Sequence, residues 1–100
     1  MEPYTKVFLA GTITGQITVR TSPDIAMFKI ETVLGQDRAT EWVQAEGDLA
    51  RFVVEKKFKP GDQVLVHGEL VQGSGQGEFF TLAHRLSHDE SAIWRLTHGA

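Results

Sequence analysis

Alternation of apolar and polar residues with a period of two is the feature that most constrains what this chain can fold into. In residues 26–33 the alternation places Phe28 and Ile30 on one face of an extended segment and Lys29 and Glu31 on the other. This pattern is typical of a strand with one face on a core. We predict four further strands from similar patterns: residues 6–14 with an extension to 20, residues 40–46, residues 63–71 and residues 78–86.

One segment breaks the alternation and has helical spacing instead. Leu49, Phe52 and Val53 recur at the intervals of a helix face, directly after Asp48, which is a residue type suited to an N-cap. The pair Pro60-Gly61 is a signal for the end of a helix. We therefore predict the only helix of the chain over residues 49–57.

The order of these elements points to one fold class. Strands this short cannot all pair in an open sheet and still bury the helix. An all-β, five-stranded Greek-key barrel of the OB-fold type, with the one short helix between strands 3 and 4, pairs all the strands and also buries the helix. We expect this domain to occupy residues 1–86 and a C-terminal tail to occupy residues 87–100.

Composition and charge exclude several classes of function. The chain has no cysteine, so it has no disulfide, thiolate metal site or cysteine nucleophile. No apolar run approaches the ~20 residues that span a bilayer, and the N-terminus lacks a signal-peptide pattern, so we expect a cytoplasmic protein that does not bind membranes. The net charge of −3 argues against a strongly basic nucleic-acid binder but permits a local basic groove.

Trp42 raises a question that the alternation alone leaves open. If Val43 and Ala45 point to the core, then Trp42, Gln44 and Glu46 point to the solvent. A large aromatic side chain on an exposed strand face is either covered by a partner or used as a stacking surface. The residues around Trp42 favour neither interpretation over the other.

Four segments resemble, in order and spacing, the bacterial single-stranded-DNA-binding protein family. They are KVFLAGTITG at 6–15, RTSPDIAMFKIET at 20–32, TEW at 40–42 and KFKPGDQVLVHGEL at 57–70. The likeness covers roughly residues 5–86, and the chain is also similar to primosomal replication protein N. Both are OB-fold DNA binders that work as homo-oligomers, so the resemblance implies binding of single-stranded DNA in replication, recombination or repair.

The resemblance also implies roles for particular residues. Trp42 stands where the family places a base-stacking tryptophan, and Lys6 and Arg20 match basic positions near the phosphate path. Two further candidates come from this chain's own pattern. Lys29 is a cation on the outer face of the second strand, and Phe79 is a second stacking residue if it points outwards.

The chain departs from the family in a way that supports a second hypothesis. The loops LGQDRA and GSGQG lack aromatic residues that the family commonly has there. The alternative is an OB-fold protein-interaction module with weak or no DNA affinity. A DNA binder should expose Trp42 beside a basic strip, whereas an interaction module should cover Trp42 or surround it with Glu31, Glu41 and Glu46.

No pattern indicates an enzyme. A nucleophile needs an adjacent base, and no carboxylate or histidine spacing singles out such a pair. His84 and His88 have no third metal ligand nearby in the sequence, so we expect neither a metal nor a cofactor. The expected partners are single-stranded DNA, further copies of the chain as a dimer or tetramer, and replication or repair proteins.

Overall fold

The fold was obtained as a computed structural model, which describes residues 5–34, 36–73 and 78–88. Its elements follow the predicted order: β1 (Lys6–Arg20), β2 (Ile25–Leu34), β3 (Asp37–Glu46), α1 (Asp48–Glu55), β4 (Gln63–Gln72) and β5 (Phe79–Ser87). The strands form a closed barrel in the order β1-β2-β3-β5-β4. The predicted five-stranded OB-fold barrel, with one helix between strands 3 and 4, is confirmed.

Strand β1 pairs with two different strands along its length. Its first half, from Lys6 to Thr12, pairs with β4, and the part from Thr12 to Arg20 pairs with β2. A register shift between Thr14 and Thr18 bends the strand. Bulges of this kind increase local twist and help a sheet curl. The single long strand β1 can therefore pair with β4 along its first part and with β2 along its second.

The core lies inside the barrel and is built from the alternate residues that the sequence predicts. Phe28, Ile30, Val43, Val64 and Val66 are all fully buried. Each such apolar side chain contributes about 1.5–3 kcal/mol relative to an exposed position. Helix α1 covers one end of this core with two buried residues, Ala50 and Val53.

The helix differs from the prediction at its start. The N-cap position is Gly47, with a φ of 60°, and Asp48 is the first helical residue. Asp48 makes no cap hydrogen bond and pairs with Arg51 instead, and Arg51 also bonds Asp24 of the β1–β2 turn at 2.8 Å. The predicted N-cap role of Asp48 is therefore wrong, and its carboxylate instead helps to hold Arg51 against that turn.

The end of the helix also comes earlier than predicted. The N–H of Lys57 donates to the carbonyl of Val54 and that of Phe58 to the carbonyl of Val53, both at 3.1 Å. Lys57 has a φ of 54°, so this arrangement is a Schellman motif with a lysine in the left-handed position. The motif turns Phe58 into the core, and the helix ends before Pro60 because of this turn.

The C-terminal end of β5 is attached to the segment between α1 and β4. The His88 ring stacks on Phe58 with centroids 4.4 Å apart, and His88 Nε2 lies 2.6 Å from Asp62 Oδ2. Lys59 donates to the same carboxylate from its backbone N–H and its ammonium group. Burial acts to raise the pKa of Asp62, but the hydrogen bonds from His88 and Lys59 outweigh burial and hold this pKa below its usual value.

The first two residues of the predicted tail are Ser87 and His88. Ser87 is the last residue of β5, and His88 packs on Phe58. The rest of the predicted tail, residues 89–100, lies outside the described residues. In the part of the chain that the structure describes, no helix is long and apolar enough to cross a membrane.

Replacing Gly68 by alanine should destabilise the barrel. Gly68 lies at the β4–β5 register shift, and a Cβ there would collide with the Leu82 carbonyl group and lie 3.1 Å from Ala83 Cα. We expect Gly68→Ala to lower the free energy of unfolding by about 1–3 kcal/mol, which lowers the melting temperature by about 4–8 °C per kcal/mol. Gly73→Ala is the control, because its Cβ would meet Glu78 at an ordinary 3.4 Å. Equal melting temperatures for the two variants would contradict the close approach at Gly68.

Asp62 should make the stability of the barrel depend on pH in the acid range. A carboxyl group whose pKa is lowered in the folded state stabilises the fold above its unfolded pKa, about 3.9 for aspartate, and this stabilisation is lost as the pH falls through the lower folded value. Urea unfolding should therefore give a higher free energy of unfolding for the native chain than for Asp62→Asn near pH 7. This difference in free energy should narrow below about pH 4. Asp37→Asn controls for the removal of an exposed carboxylate. A difference that stays constant down to pH 2.5, about one and a half units below that value, would be evidence against the hydrogen-bonded carboxylate.

Candidate nucleic-acid interface

Trp42 projects from the outer face of β3. Its neighbours in the strand alternate with it, since Val43 is fully buried while 44% of Trp42 is exposed. Lys29 stands directly opposite on β2, and its Nζ lies 5.0 Å from the centroid of the Trp42 ring. This distance is within the range of a cation–π interaction, which contributes about 0.5–1 kcal/mol at exposed sites.

Trp42 is one wall of an open cavity of 520 Å³, called here the Trp42 cavity. Strand β2 contributes one side chain, β3 contributes the tryptophan, and the adjoining ends of β4 and β5 supply the rest. The lining residues are Met27, Trp42, Gly73, Glu78, Phe79 and Phe80. Three aromatic rings and a thioether therefore face the same space, next to the ammonium group of Lys29.

The parallel pairing of β3 with β5 brings these rings together. Val43 is paired with Thr81, so the preceding residues, Trp42 and Phe80, are neighbours on the outer face. Phe79 lies one residue further out, where β5 begins, and is 52% exposed. Alternation predicts that one phenylalanine of this pair is in the core, but both line the cavity, because β5 begins beyond the rim of the barrel.

Four residues of the cavity are absent from the candidates that the sequence supplies, and two of them, Met27 and Phe80, have large apolar side chains. Met27 alternates with the buried Ala26 and Phe28, so its outward position could have been predicted. The position of Phe80 beside Trp42 could not have been predicted, because Trp42 belongs to a strand that is distant from Phe80 in the sequence.

Lys6 and Arg20 lie away from the Trp42 cavity. Lys6 is exposed at the start of β1, opposite Glu69 of β4. Arg20 ends β1 and lines a groove against α1, together with Val19 and Val54. Arg20 is paired with Ile25, four residues along β2 from Lys29, which is roughly 13 Å at the usual strand rise. The structure thus brings Trp42, Lys29 and Phe79 together but not the other two cations.

The acidic residues near Trp42 are arranged differently from the ring of charges that the alternative hypothesis requires. Glu31 lies 3.5 Å from Arg38, and Glu46 accepts a hydrogen bond from Gln44 at 2.6 Å. Glu41 is opposite the buried Ile30, which puts it on the inward side of the strand. Glu78 is the carboxylate that lines the Trp42 cavity itself.

The two histidines considered as metal ligands contact different carboxylates. His84 Nε2 lies 3.0 Å from Glu69, whereas His88 Nε2 contacts Asp62. Within residues 5–34, 36–73 and 78–88, no group of three metal-ligating side chains could hold an ion.

Comparisons by sequence find no relative of this chain. No protein-family model matches it, and no curated protein matches it.

Solved structures show the same fold. The second single-stranded-DNA-binding protein of Mycobacterium smegmatis superposes with a TM-score of 0.77 at 20% identity, over 90% of this chain and 93% of that one. The small single-stranded-DNA-binding protein of Streptomyces coelicolor superposes with a TM-score of 0.73 at 17% identity, over 91% of this chain and 97% of that one. The dimeric N-terminal domain of the PriB protein of Thermoanaerobacter tencongensis superposes with a TM-score of 0.69 at 15% identity, over 83% of this chain and 93% of that one. The predicted likeness to the bacterial single-stranded-DNA-binding proteins is confirmed for the fold.

Proposed function

We propose that this chain binds single-stranded DNA without catalysing a reaction and acts in replication, recombination or repair in the cytoplasm. The observation that carries the proposal is the Trp42 cavity, in which Trp42, Phe79 and Phe80 face one open space beside Lys29. Aromatic rings beside a cation suit a flexible strand whose bases are unpaired, because every base has a π-face. The fold shared with single-stranded-DNA-binding proteins agrees with this assignment.

The proposal gives each residue a physical role. Bases stack on Trp42 and Phe79, and each stacked base contributes about 1–3 kcal/mol regardless of sequence. Lys29 neutralises a phosphate next to the stacked bases. Lys6 and Arg20, which are both exposed, contact the strand where it leaves the Trp42 cavity on either side.

Assembly of several copies would increase the affinity of a site with few cations. Joining two weak surfaces makes the second binding step intramolecular, which raises overall affinity without new contacts. We propose that the chain acts as a homo-oligomer, in line with the dimeric PriB domain of the same fold. Replication or repair proteins would be its further partners.

One observation favours the alternative of a protein-interaction module. Glu78 lines the Trp42 cavity, and a carboxylate there repels phosphates. Three observations favour DNA more strongly: Trp42 is exposed, Lys29 lies over its ring, and Glu31 lies within ion-pair distance of Arg38. We therefore retain DNA binding as the conclusion.

Trp42→Ala should weaken binding of a labelled oligothymidylate by about 5- to 150-fold, because a stacking contact contributes about 1–3 kcal/mol. Fluorescence anisotropy measures the affinity. Trp94→Phe leaves Trp42 as the single tryptophan of the chain, so quenching of its emission in that variant reports stacking directly.

Val54→Ala is the matched control, since Val54 is an exposed apolar residue on α1, outside the Trp42 cavity. If the Trp94→Phe chain binds no oligothymidylate even at low salt, and its emission does not change, the protein-interaction module is the better assignment.

Lys29→Gln should reduce the salt dependence of binding. Each phosphate neutralised on a single strand contributes about 0.7 to the slope of log K against log salt concentration. The slope measured from 50 to 300 mM salt should therefore fall by about 0.7 in Lys29→Gln. Lys56→Gln, at the end of α1, removes an equal charge elsewhere and should leave the slope unchanged. A slope equal to that of the native chain in Lys29→Gln would show that Lys29 does not contact a phosphate.

A further inference from the structure

We propose that Glu78 makes the Trp42 cavity prefer guanine to the other bases. The inference rests on the proposed function and deepens it. Stacking on an aromatic ring accepts every base, whereas a hydrogen-bonding group at the edge of a stacked base can distinguish one base from another. Among the described residues that line the Trp42 cavity, Glu78 has the only polar side chain, so it is the group that can supply this distinction.

The backbone fixes Glu78 at the edge of the cavity. Glu78 directly precedes β5, and its carbonyl accepts a hydrogen bond from the N–H of Gly73 at 2.8 Å. The side chain lies over Gly73, because Glu78 Oε2 is 3.6 Å from the place that a Cβ of residue 73 would occupy. Gly73 is itself part of the cavity wall. The carboxylate therefore borders the space in which a base would stack.

The Glu78 carboxylate is available to a ligand. Within residues 5–34, 36–73 and 78–88, it takes part in no ion pair and no side-chain hydrogen bond. The residue is exposed. An ionised carboxylate only accepts hydrogen bonds, and it has two oxygens with which to do so. A ligand that suits Glu78 is therefore one that brings two adjacent donors.

The charges on either side of Trp42 orient a nucleotide. Lys29 lies on β2 and Glu78 at the start of β5, and β3, which carries Trp42, lies between those two strands. The outer two strands are about 10 Å apart, two strand spacings. A phosphate is attracted by Lys29 and repelled by Glu78. Since the Watson–Crick edge of a base lies away from its sugar and phosphate, this orientation turns that edge towards Glu78.

Guanine is the base whose Watson–Crick edge matches a carboxylate. Its N1–H and its 2-amino group are adjacent donors, and they can bond the two oxygens of Glu78 in parallel. Adenine and cytosine each present one amino group beside a ring nitrogen that accepts, and thymine presents one N–H between two carbonyl oxygens. Acceptors on the base repel a carboxylate, whereas two parallel bonds to a charged group are among the strongest hydrogen-bonded pairs.

A comparison of guanine with hypoxanthine tests the inference, because hypoxanthine is guanine without the 2-amino group and stacks through the same ring system. Oligothymidylates of about 6 nucleotides, within the range that one OB fold binds, carry one central deoxyguanosine or one central deoxyinosine. Fluorescence anisotropy should show that the native chain binds the deoxyguanosine strand about 5-fold more tightly, the low end for one base-edge contact, since water competes at the exposed Glu78. Equal affinities for the two strands would overturn the inference.

Glu78→Ala identifies the group responsible for the preference. It keeps the carbonyl that bonds Gly73 and removes the carboxylate, so the ratio of the two affinities should fall to about 1. The ratio compares two strands in one variant, so the general effect of a lost negative charge, which acts on both strands alike, cancels.

Glu46→Ala is the matched control. Glu46 is an exposed carboxylate of β3 outside the Trp42 cavity, and its removal should leave the preference for deoxyguanosine at the native value. A preference that persists in Glu78→Ala, or that disappears equally in Glu46→Ala, would show that Glu78 does not read the base.

The outcomes separate this inference from the proposed function. If neither strand binds and the emission of Trp42 in the Trp94→Phe chain does not change, the proposed function fails and the inference fails with it. If both strands quench Trp42 and bind with equal affinity, the proposed function holds and only the inference fails. A native preference that is lost in Glu78→Ala and kept in Glu46→Ala supports both.

Discussion

The short parallel contact between β3 and β5 is the constraint on which the rest of the structure depends. It pairs Val43 with Thr81 and Gln44 with Leu82, and it closes the barrel. Because successive side chains of a strand point to opposite faces, the register that buries Val43 and Thr81 also places Trp42 beside Phe80 on the outside. A slip of one residue would bury the tryptophan and expose the core, so the fold and the candidate site have the same cause.

Two glycines allow the strands to approach closely enough for this closure. A Cβ at Gly11 would collide with the backbone of Glu31 on β2, and one at Gly68 with the backbone of Leu82 on β5. Both contacts are between neighbouring strands, so these two glycines set how closely β1 approaches β2 and how closely β4 approaches β5.

The sequence predicts the faces of the strands well and their neighbours less well. Alternation suffices to place Phe28 and Ile30 in the core and Trp42 outside, because it depends only on residues close in the chain. It cannot show that Phe80 adjoins Trp42, or that Lys6 lies on another side of the barrel, because these depend on pairings between strands far apart in sequence. The predicted helix end is wrong for a related reason: a lysine, Lys57, takes the left-handed position that glycine usually fills.

The position of Lys29 bears on how a protein with a net charge of −3 would bind DNA under the proposed function. In the structure its ammonium group lies over the ring on which a base would stack, and this contact must be given up when the base arrives. The loss is about 0.5–1 kcal/mol, whereas the stacked base contributes about 1–3 kcal/mol, so the exchange favours the base. Under the proposed function, the displaced ammonium group would be free to pair with a phosphate of the bound strand. Stacking would then provide most of the affinity at this surface, and the single lysine would add to it.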